Sequence, residues 1–334
     1  MKLGDYRIEI IPDTEFRLDG GAMFGVVPRV LWERKCPPDD LNRIRMNMNC
    51  LFIETPDERI LVETGIGEKW SERETAMYGI FRKKPFAETL FEKTGHTRED
   101  ITIVVNTHLH FDHAGGNTIY SPKQLTVSGE QQESNSVPDA VATDSAERDL
   151  PANYAKRREK KSLGRDLHVS EGVIDGRLVP QFPNARYFVS KSEFEHAKNP
   201  HERDRASYLP ENWEPLEKTG QLELKPDTYE VIEGLSMRTI RGHSETMQTV
   251  NLERNGKTLY GFADLVPMTV HLSLPWIAGF DLFPLETLEA KRNLLQRAVE
   301  ENWICLFYHD FETPLCRLEK IDGKLKTATI DETG

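Results

Sequence analysis

The chain is 334 residues long, enough to bury a sizeable core in one large α/β domain or two modest ones. Its 55 Asp and Glu against 43 Lys and Arg give a net charge of −12, so the bulk surface repels polyanions and nucleic acid is not an expected partner. No stretch offers the roughly 20 apolar residues of a membrane span, the opening MKLGDYRIEIIPD lacks an export-type apolar run, and Cys36, Cys50, Cys305 and Cys316 form no C-x-x-C pair, so a soluble, cytoplasmic chain with reduced thiols is expected.

In chain order, residues 6–13, 48–55, 59–65 and 101–107 are short, β-branched and closed by turn residues, and read as strands. Between the third and fourth, residues 85–95 carry apolar positions at helical spacing and end on Gly95, which predicts a helix. From 123 to 176 the pattern fails: large apolar residues are few and no period is sustained. This stretch reads as a polar insertion in a single domain, contributing little to the core, and its basic run KRREKK at 156–161 as a solvated face. Strand-like segments resume at 186–194, 235–242, 249–264, where Asn255-Gly256 marks a hairpin, and 304–310. A helix with an i, i+3, i+4 apolar stripe is predicted at 284–303, opening on Pro284.

The chemistry is concentrated behind the fourth strand, in THLHFDHAGG at 107–116. Alternate residues of an extended chain point the same way, so His108 and His110 can grip one ion. Asp112 and His113, past the bend, face another direction, which suits a second, adjacent metal site. Gly115-Gly116 then lets the backbone turn tightly toward a following helix. Four ligand-type side chains within six positions are hard to explain as packing.

His108-Leu109-His110-Phe111-Asp112-His113 is an intact H-x-H-x-D-H motif, and in it the chain resembles the metallo-β-lactamase superfamily. The resemblance covers nearly the whole chain apart from the insertion. It implies a four-layer αββα sandwich with metals at one edge, a further ligand at His243 in GHS, a bridging carboxylate at Asp264 in YGFADLVP and a last ligand at His309 in LFYHD. Carried over residue by residue, it puts His108, His110 and His243 on one metal, Asp112, His113 and His309 on the other, and Asp264 between them. Two divalent ions, with zinc the expected one, would share a bridging hydroxide that attacks a polarised carbonyl or phosphoryl group. Asp112 would hand a proton to the leaving group.

The sequence departs from the superfamily pattern at three places. Glu63-Thr64-Gly65 stands where Asp-Thr-Gly is common, putting a longer carboxylate behind the metal loop. Thr246-Met247 replaces a Gly-His pair after the third metal His. Leu265-Val266-Pro267 follows the bridging Asp where acyl-homoserine lactonases carry a Tyr, so their substrate does not transfer directly. A His at position 110, rather than the Glu of the redox di-iron branch, favours hydrolysis, and the acidic balance speaks against the RNA-processing branch. For the pocket, two segments compete: the apolar arm at 20–32 and the aromatic-rich loop at 271–284, whose His271, Trp276 and Phe280 are the favoured lining. The expected activity is hydrolysis of an ester or lactone, or a phosphotriester, with an apolar body. The alternatives are a glyoxalase II-like thioesterase and a metal-bearing binding protein without catalysis. The expected partner is a small molecule, with no membrane contact.

Overall fold

The structure, a computed structural model, describes residues 1–122 and 174–330. Met1–Tyr120 together with Leu178–Gly334 form one compact unit, and Ser121–Arg177 a second. Most of the insertion expected at 123–176, including its basic run, therefore lies outside the described residues.

The larger unit is built on two seven-stranded sheets. The first contains β1 (Lys2–Leu3), β2 (Tyr6–Asp19), β3 (Arg43–Glu54), β4 (Arg59–Val62) and β5 (Ile103–Val105). After the short pair β6 (Thr118–Pro122) and β7 (Ile174–Pro180), it is completed by β8 (Arg186–Ser190) and β9 (Leu222–Lys225), in spatial order β1-β2-β3-β4-β5-β8-β9. The second runs in chain order: β10 (Thr228–Ile232), β11 (Leu235–Thr239), β12 (Gln248–Arg254), β13 (Lys257–Gly261), β14 (Ile304–Leu306), β15 (Leu315–Ile321) and β16 (Lys324–Ala328). The predicted hairpin turns through Asn255 and Gly256, whose φ of 49° and 68° supply the left-handed pair that matches strand twist.

Strand alternation sorts the apolar residues into layers. Ile60, Val62, Ile103 and Val105 of the first sheet face Leu235, Met237, Leu252, Leu259, Ile304 and Leu306 of the second in one central core. Leu61, Val104 and Tyr187 point the other way, onto the helices Phe86–Thr94 and Glu214–Thr219 through Phe86, Leu90 and Leu216. Tyr260 and Cys305 point outward from the second sheet onto Leu295 and Ala298 of the helix Pro284–Glu300. The layers are helix, sheet, sheet, helix, as the resemblance implied.

Two local expectations are corrected. The strand at 186–194 ends at Ser190, whose hydroxyl accepts the Glu193 N–H at 3.1 Å and caps a helix at Lys191–Lys198. The segment behind Gly115-Gly116 is not a helix; Phe111–Ala114 itself forms one short turn, and strand β6 follows. Neither glycine has a positive φ. Their smallness serves close packing, since a Cβ on Gly115 would lie 2.2 Å from the Ile66 carbonyl oxygen and one on Gly116 2.1 Å from that of Thr64.

The parallel strands β4, β5 and β8 end at a common edge of the first sheet, as do β13 and β14 in the second. The loops leaving those ends carry the predicted ligands. Under the β4 loop, Asp13 accepts the Ile66 N–H at 2.9 Å and an Arg82 N–H at 2.6 Å. Gly65, at φ 81°, leaves that carboxylate its space: a Cβ there would fall 2.3 Å from Asp13 Oδ2. Gly65→Ala is therefore expected to cost about 2 kcal/mol or more, read as a lowered urea midpoint, whereas Gly95→Ala, which meets no atom within 4 Å, bears only the φ penalty.

Candidate metal centre

Three loops from the two sheet edges meet around Asp264. The β5 loop brings His108, His110, Asp112 and His113; His243 precedes β12; Asp264 follows β13; and His309 follows β14. All are buried. They fall into two groups, His108, His110 and His243 in one and Asp112, His113, Asp264 and His309 in the other, with one donor atom from each residue within 4.8 Å of the others in its group. The resemblance had put Asp112, His113 and His309 on one ion, His108, His110 and His243 on the other, and Asp264 between them; by this spacing Asp264 groups with the first of these sets.

Asp264 faces both groups. Its Oδ1 lies 3.1 Å from His113 Nε2 and 3.0 Å from His309 Nε2, while its Oδ2 lies 3.5 Å from His243 Nε2 and 4.0 Å from His108 Nε2. His309 Nε2 is also 3.2 Å from His113 Nε2 and 3.6 Å from Asp112 Oδ2. In the first group, His243 Nε2 stands 3.1 Å from His110 Nδ1.

The outward nitrogens explain what the inward ones present. His243 Nδ1 donates to Asp281 Oδ1 at 3.0 Å, and His309 Nδ1 donates to the Asn47 carbonyl at 3.1 Å. His108 Nδ1 pairs with the Thr107 hydroxyl at 2.9 Å. A neutral ring that donates through Nδ1 turns a lone pair inward at Nε2. His108 Nε2, which faces Asp264, is buried and finds no hydrogen-bond partner among the described residues, and His110 turns its Nδ1 toward His243 Nε2. Lone pairs thus converge in a site closed to bulk water, an arrangement that a cation relieves. Donors about 2.0–2.1 Å from a tetrahedral zinc stand about 3.3 Å apart, close to the spacings here. The residues fit two divalent ions.

Charge follows the same geometry. Burial, reinforced by the neighbouring imidazoles, pushes His108 and His110 well below the usual histidine range. Burial also opposes charge on His113, but Asp264, Glu63 and Asp112 outweigh it and raise its pKa well above normal. Asp264 is likewise penalised by burial, yet His113, His309 and His243 hold its carboxyl well below the usual range.

The backbone is strained where it aims these groups. Ala263, just before Asp264, has φ 48°, and Glu63 has φ 68°. The Glu63 carboxylate accepts the Thr107 N–H at 3.0 Å and an Asn106 amide N–H at 3.3 Å, and lies 3.4 Å from His113 Nδ1. The longer side chain noted in the sequence thus supports the β5 loop from below. Sequence reasoning missed Glu193, which accepts the Leu109 N–H at 2.7 Å between two ligand histidines. It also missed Asp281, although a lone carboxylate in the apolar loop at 271–284 was a signal in plain view.

The predicted pocket residues separate. Phe280 stands edge-on to His243, with ring centroids 5.5 Å apart. His271 is buried, donates from Nε2 to the Met23 carbonyl at 2.9 Å and stacks on Phe24 at 5.1 Å. Trp276 is half-buried and meets Phe24 edge-on at 5.7 Å. Phe24 also stacks on Trp32 at 4.9 Å, so the arm and the loop, rivals in the sequence, pack into one wall. Beside the ligands, Phe111 joins Trp70 and Tyr78 in a second aromatic group.

Residues 44–124 match the model of the Metallo-beta-lactamase superfamily. A probable metal-dependent hydrolase from Staphylococcus aureus, 23% identical, superposes over 100% of this chain and 99% of its own with a TM-score of 0.76. The chain has the metallo-β-lactamase fold. AidC, a dizinc quorum-quenching lactonase solved in complex with a product, is 16% identical and aligns over 100% of this chain and 97% of its own with a TM-score of 0.66. In sequence, an N-acyl homoserine lactonase of Bacillus cereus is 30% identical over 95 residues, 26% of this chain and 38% of that relative's length. The sequence match therefore spans well under half of that relative.

Two outcomes follow from the tethers. Asp281→Ala removes the acceptor that orients His243, and metal affinity measured by chelator competition should fall ten- to a hundredfold. His271, pushed down to about 4 by burial, is held neutral when folded. The unfolded ring takes up its proton near pH 6.5, so stability is lost as pH falls from about 6.5 to about 4, by up to about 3 kcal/mol. In urea titrations across that window, His271→Gln should lose correspondingly less stability than the parent.

Proposed function

We propose that this protein is a dinuclear-metal-dependent hydrolase of an ester or lactone with an apolar body, with phosphotriesters a related class it would accept. The observation that carries the reading is the division of the two Asp264 oxygens between two buried imidazole groups. His108, His110 and His243 would hold one divalent cation and Asp112, His113 and His309 another, with Asp264 between them; zinc suits this nitrogen-rich donor set, and the pair would supply an activated water and polarisation of the substrate's carbonyl oxygen.

The chain's own residues do the rest. Asp264 holds the two groups in register by spanning them. Asp112, the other carboxylate of the set, takes up the proton of the attacking water and returns it to the leaving alkoxide oxygen. The loop and arm around Phe24, Trp276 and Phe280 exclude water on one side of the ligands, and Phe111, Trp70 and Tyr78 form an apolar surface on another. This lining favours an aliphatic or aromatic body over a charged one. The reading agrees with the lactonases and hydrolases among the chain's relatives and structural neighbours. Among the described residues no helix is long and apolar enough to cross a membrane, and four free cysteines fit a cytoplasmic setting.

Elemental analysis of the purified chain should find about two zinc ions per chain, and a panel of lactones, aryl esters, phosphotriesters and thioesters should show turnover that chelators abolish. Asp264→Ala should lose both activity and most of the metal; full turnover in chelator would refute the reading. Trp276→Ala removes apolar contact area outside the reacting groups, so KM for apolar substrates should rise with metal content unchanged, and kcat/KM should fall roughly tenfold or more.

A further inference from the structure

Lys291 breaks the rule of its helix. Along Pro284–Glu300 the inward stripe is Thr287, Lys291, Leu295 and Ala298, and Lys291 is fully buried in it. An ammonium removed from water persists only where its donors are satisfied. The hydrogen bonds recorded for Lys291 all run to one place: its Nζ donates to the carbonyls of Ser273 at 3.0 Å, Leu274 at 3.4 Å and Trp276 at 2.6 Å. These three carbonyls belong to the irregular middle of the loop that carries His271, Trp276 and Phe280.

We infer that Lys291 is the positioning residue of the substrate wall, gathering the carbonyls of residues 273–276 onto the outer helix and thereby setting where the Trp276 indole stands. This rests on the hydrolytic reading above only for the identity of what the wall contacts. The loop has other anchors, and each acts elsewhere along it. Asp310 accepts the Thr269 N–H at 2.8 Å and its hydroxyl at 2.6 Å, fixing the start. Asp281 bonds His243 and, at 2.7 Å, the Thr287 hydroxyl, fixing the end. Within the middle, the Trp276 N–H donates to the Ser273 carbonyl at 3.0 Å, a single turn that orders the loop on itself without tying it to the body. With Lys291 gone, the carbonyls of Leu274 and Trp276 lose this donor, that of Ser273 keeps only the Trp276 N–H, and the segment must swing outward to hydrate them. Trp276 then leaves its place edge-on to Phe24 and beside Lys35, whose Nζ lies 5.2 Å from the indole centroid. The residues that hold the metal ligands stay where they are.

The test compares zinc-loaded full-length parent with Lys291→Met, which keeps the length and removes every donor. Hydrogen exchange across residues 272–277 should quicken at least tenfold, with exchange in β13 and β14 and the metal content unchanged. For γ-decanolactone KM should rise fivefold or more while kcat stays within twofold, and for γ-butyrolactone, too short to reach the wall, both should stay within twofold. Should Lys291→Met fail to fold, Lys291→Arg keeps the charge but cannot aim a planar head group at the same three carbonyls, and shifts of the same direction and smaller size are expected. Parent-like loop exchange, or an unchanged ratio of the two KM values, overturns the inference. If the parent turns over neither lactone, the hydrolytic reading fails by itself, and the positioning role stands or falls on the loop exchange.

Discussion

A carboxylate with 4% of its surface exposed stays ionised only where its surroundings replace the water it has lost, and Asp264 is in that position. It is surrounded by imidazole nitrogens from three separate loops, two on each oxygen. The outer nitrogens of those rings are themselves engaged, His243 with Asp281, His309 with the Asn47 carbonyl and His108 with Thr107, which leaves the inner nitrogens turned toward the carboxylate. The outer bonds thus decide what the inner atoms offer. The pocket of lone pairs around one buried negative charge follows from them, and with it the fit to two divalent cations.

Such a cluster repels itself unless the chain holds it, which is why the surrounding structure is rich in buried polar groups. Asp13 with Arg82 fixes the turn at Ile66, and Glu63 fixes the backbone of Thr107. Lys69, its pKa lowered to about 8 by burial, donates to the carbonyls of Gly115 and Thr118 just behind the motif. Positive φ angles at Glu63 and Ala263 put strain at the two turns that aim this machinery. The wide apolar core between the sheets supplies the rigidity to hold it, since both sheet edges are anchored in the same packed layer.

These layers differ in how far they could be read from the chain. The His/Asp cluster was legible because four of its members stand in one short run and the others follow strand ends with a matching resemblance. The strands β4, β5 and β14 were legible as short β-branched or apolar runs closed by turn residues, although each was read too long at its C-terminal end. Their outer partners were not. Asn47 acts through its carbonyl, which no side-chain pattern reveals, and Asp281 and Glu193 become partners only after chain segments far apart in sequence pack together. The glycines after the motif were recognised, but for the wrong reason: Gly115 and Gly116 serve close approach to the carbonyls of Ile66 and Thr64 rather than a tight turn into a following helix. The strand assigned to 186–194 overran because Phe194 continues the apolar pattern, while Ser190 had already supplied the cap.

In the proposed hydrolase, the loop at 269–283 would let a metal centre and a substrate wall share one segment without moving together. At its C-terminal end the attachment is double: the Leu282 and Phe283 N–H groups donate to the carbonyls of His243 and Gly242 at 3.0 and 2.9 Å, and Asp281 grips the His243 ring. Any displacement there moves His243, a ligand of the proposed centre, so in that reading residues 281–283 are constrained by the chemistry. The middle is tied instead to the outer helix through Lys291, and its side chains reach the arm through Phe24. Shape changes at residues 273–277 can therefore alter the apolar wall while the His243 anchor keeps its geometry. Phe280 lies at the boundary, one residue from Asp281 and edge-on to His243, so a substitution there disturbs wall and ligand at once. Selectivity is open to change along one part of the loop because the other part is held to the metal centre.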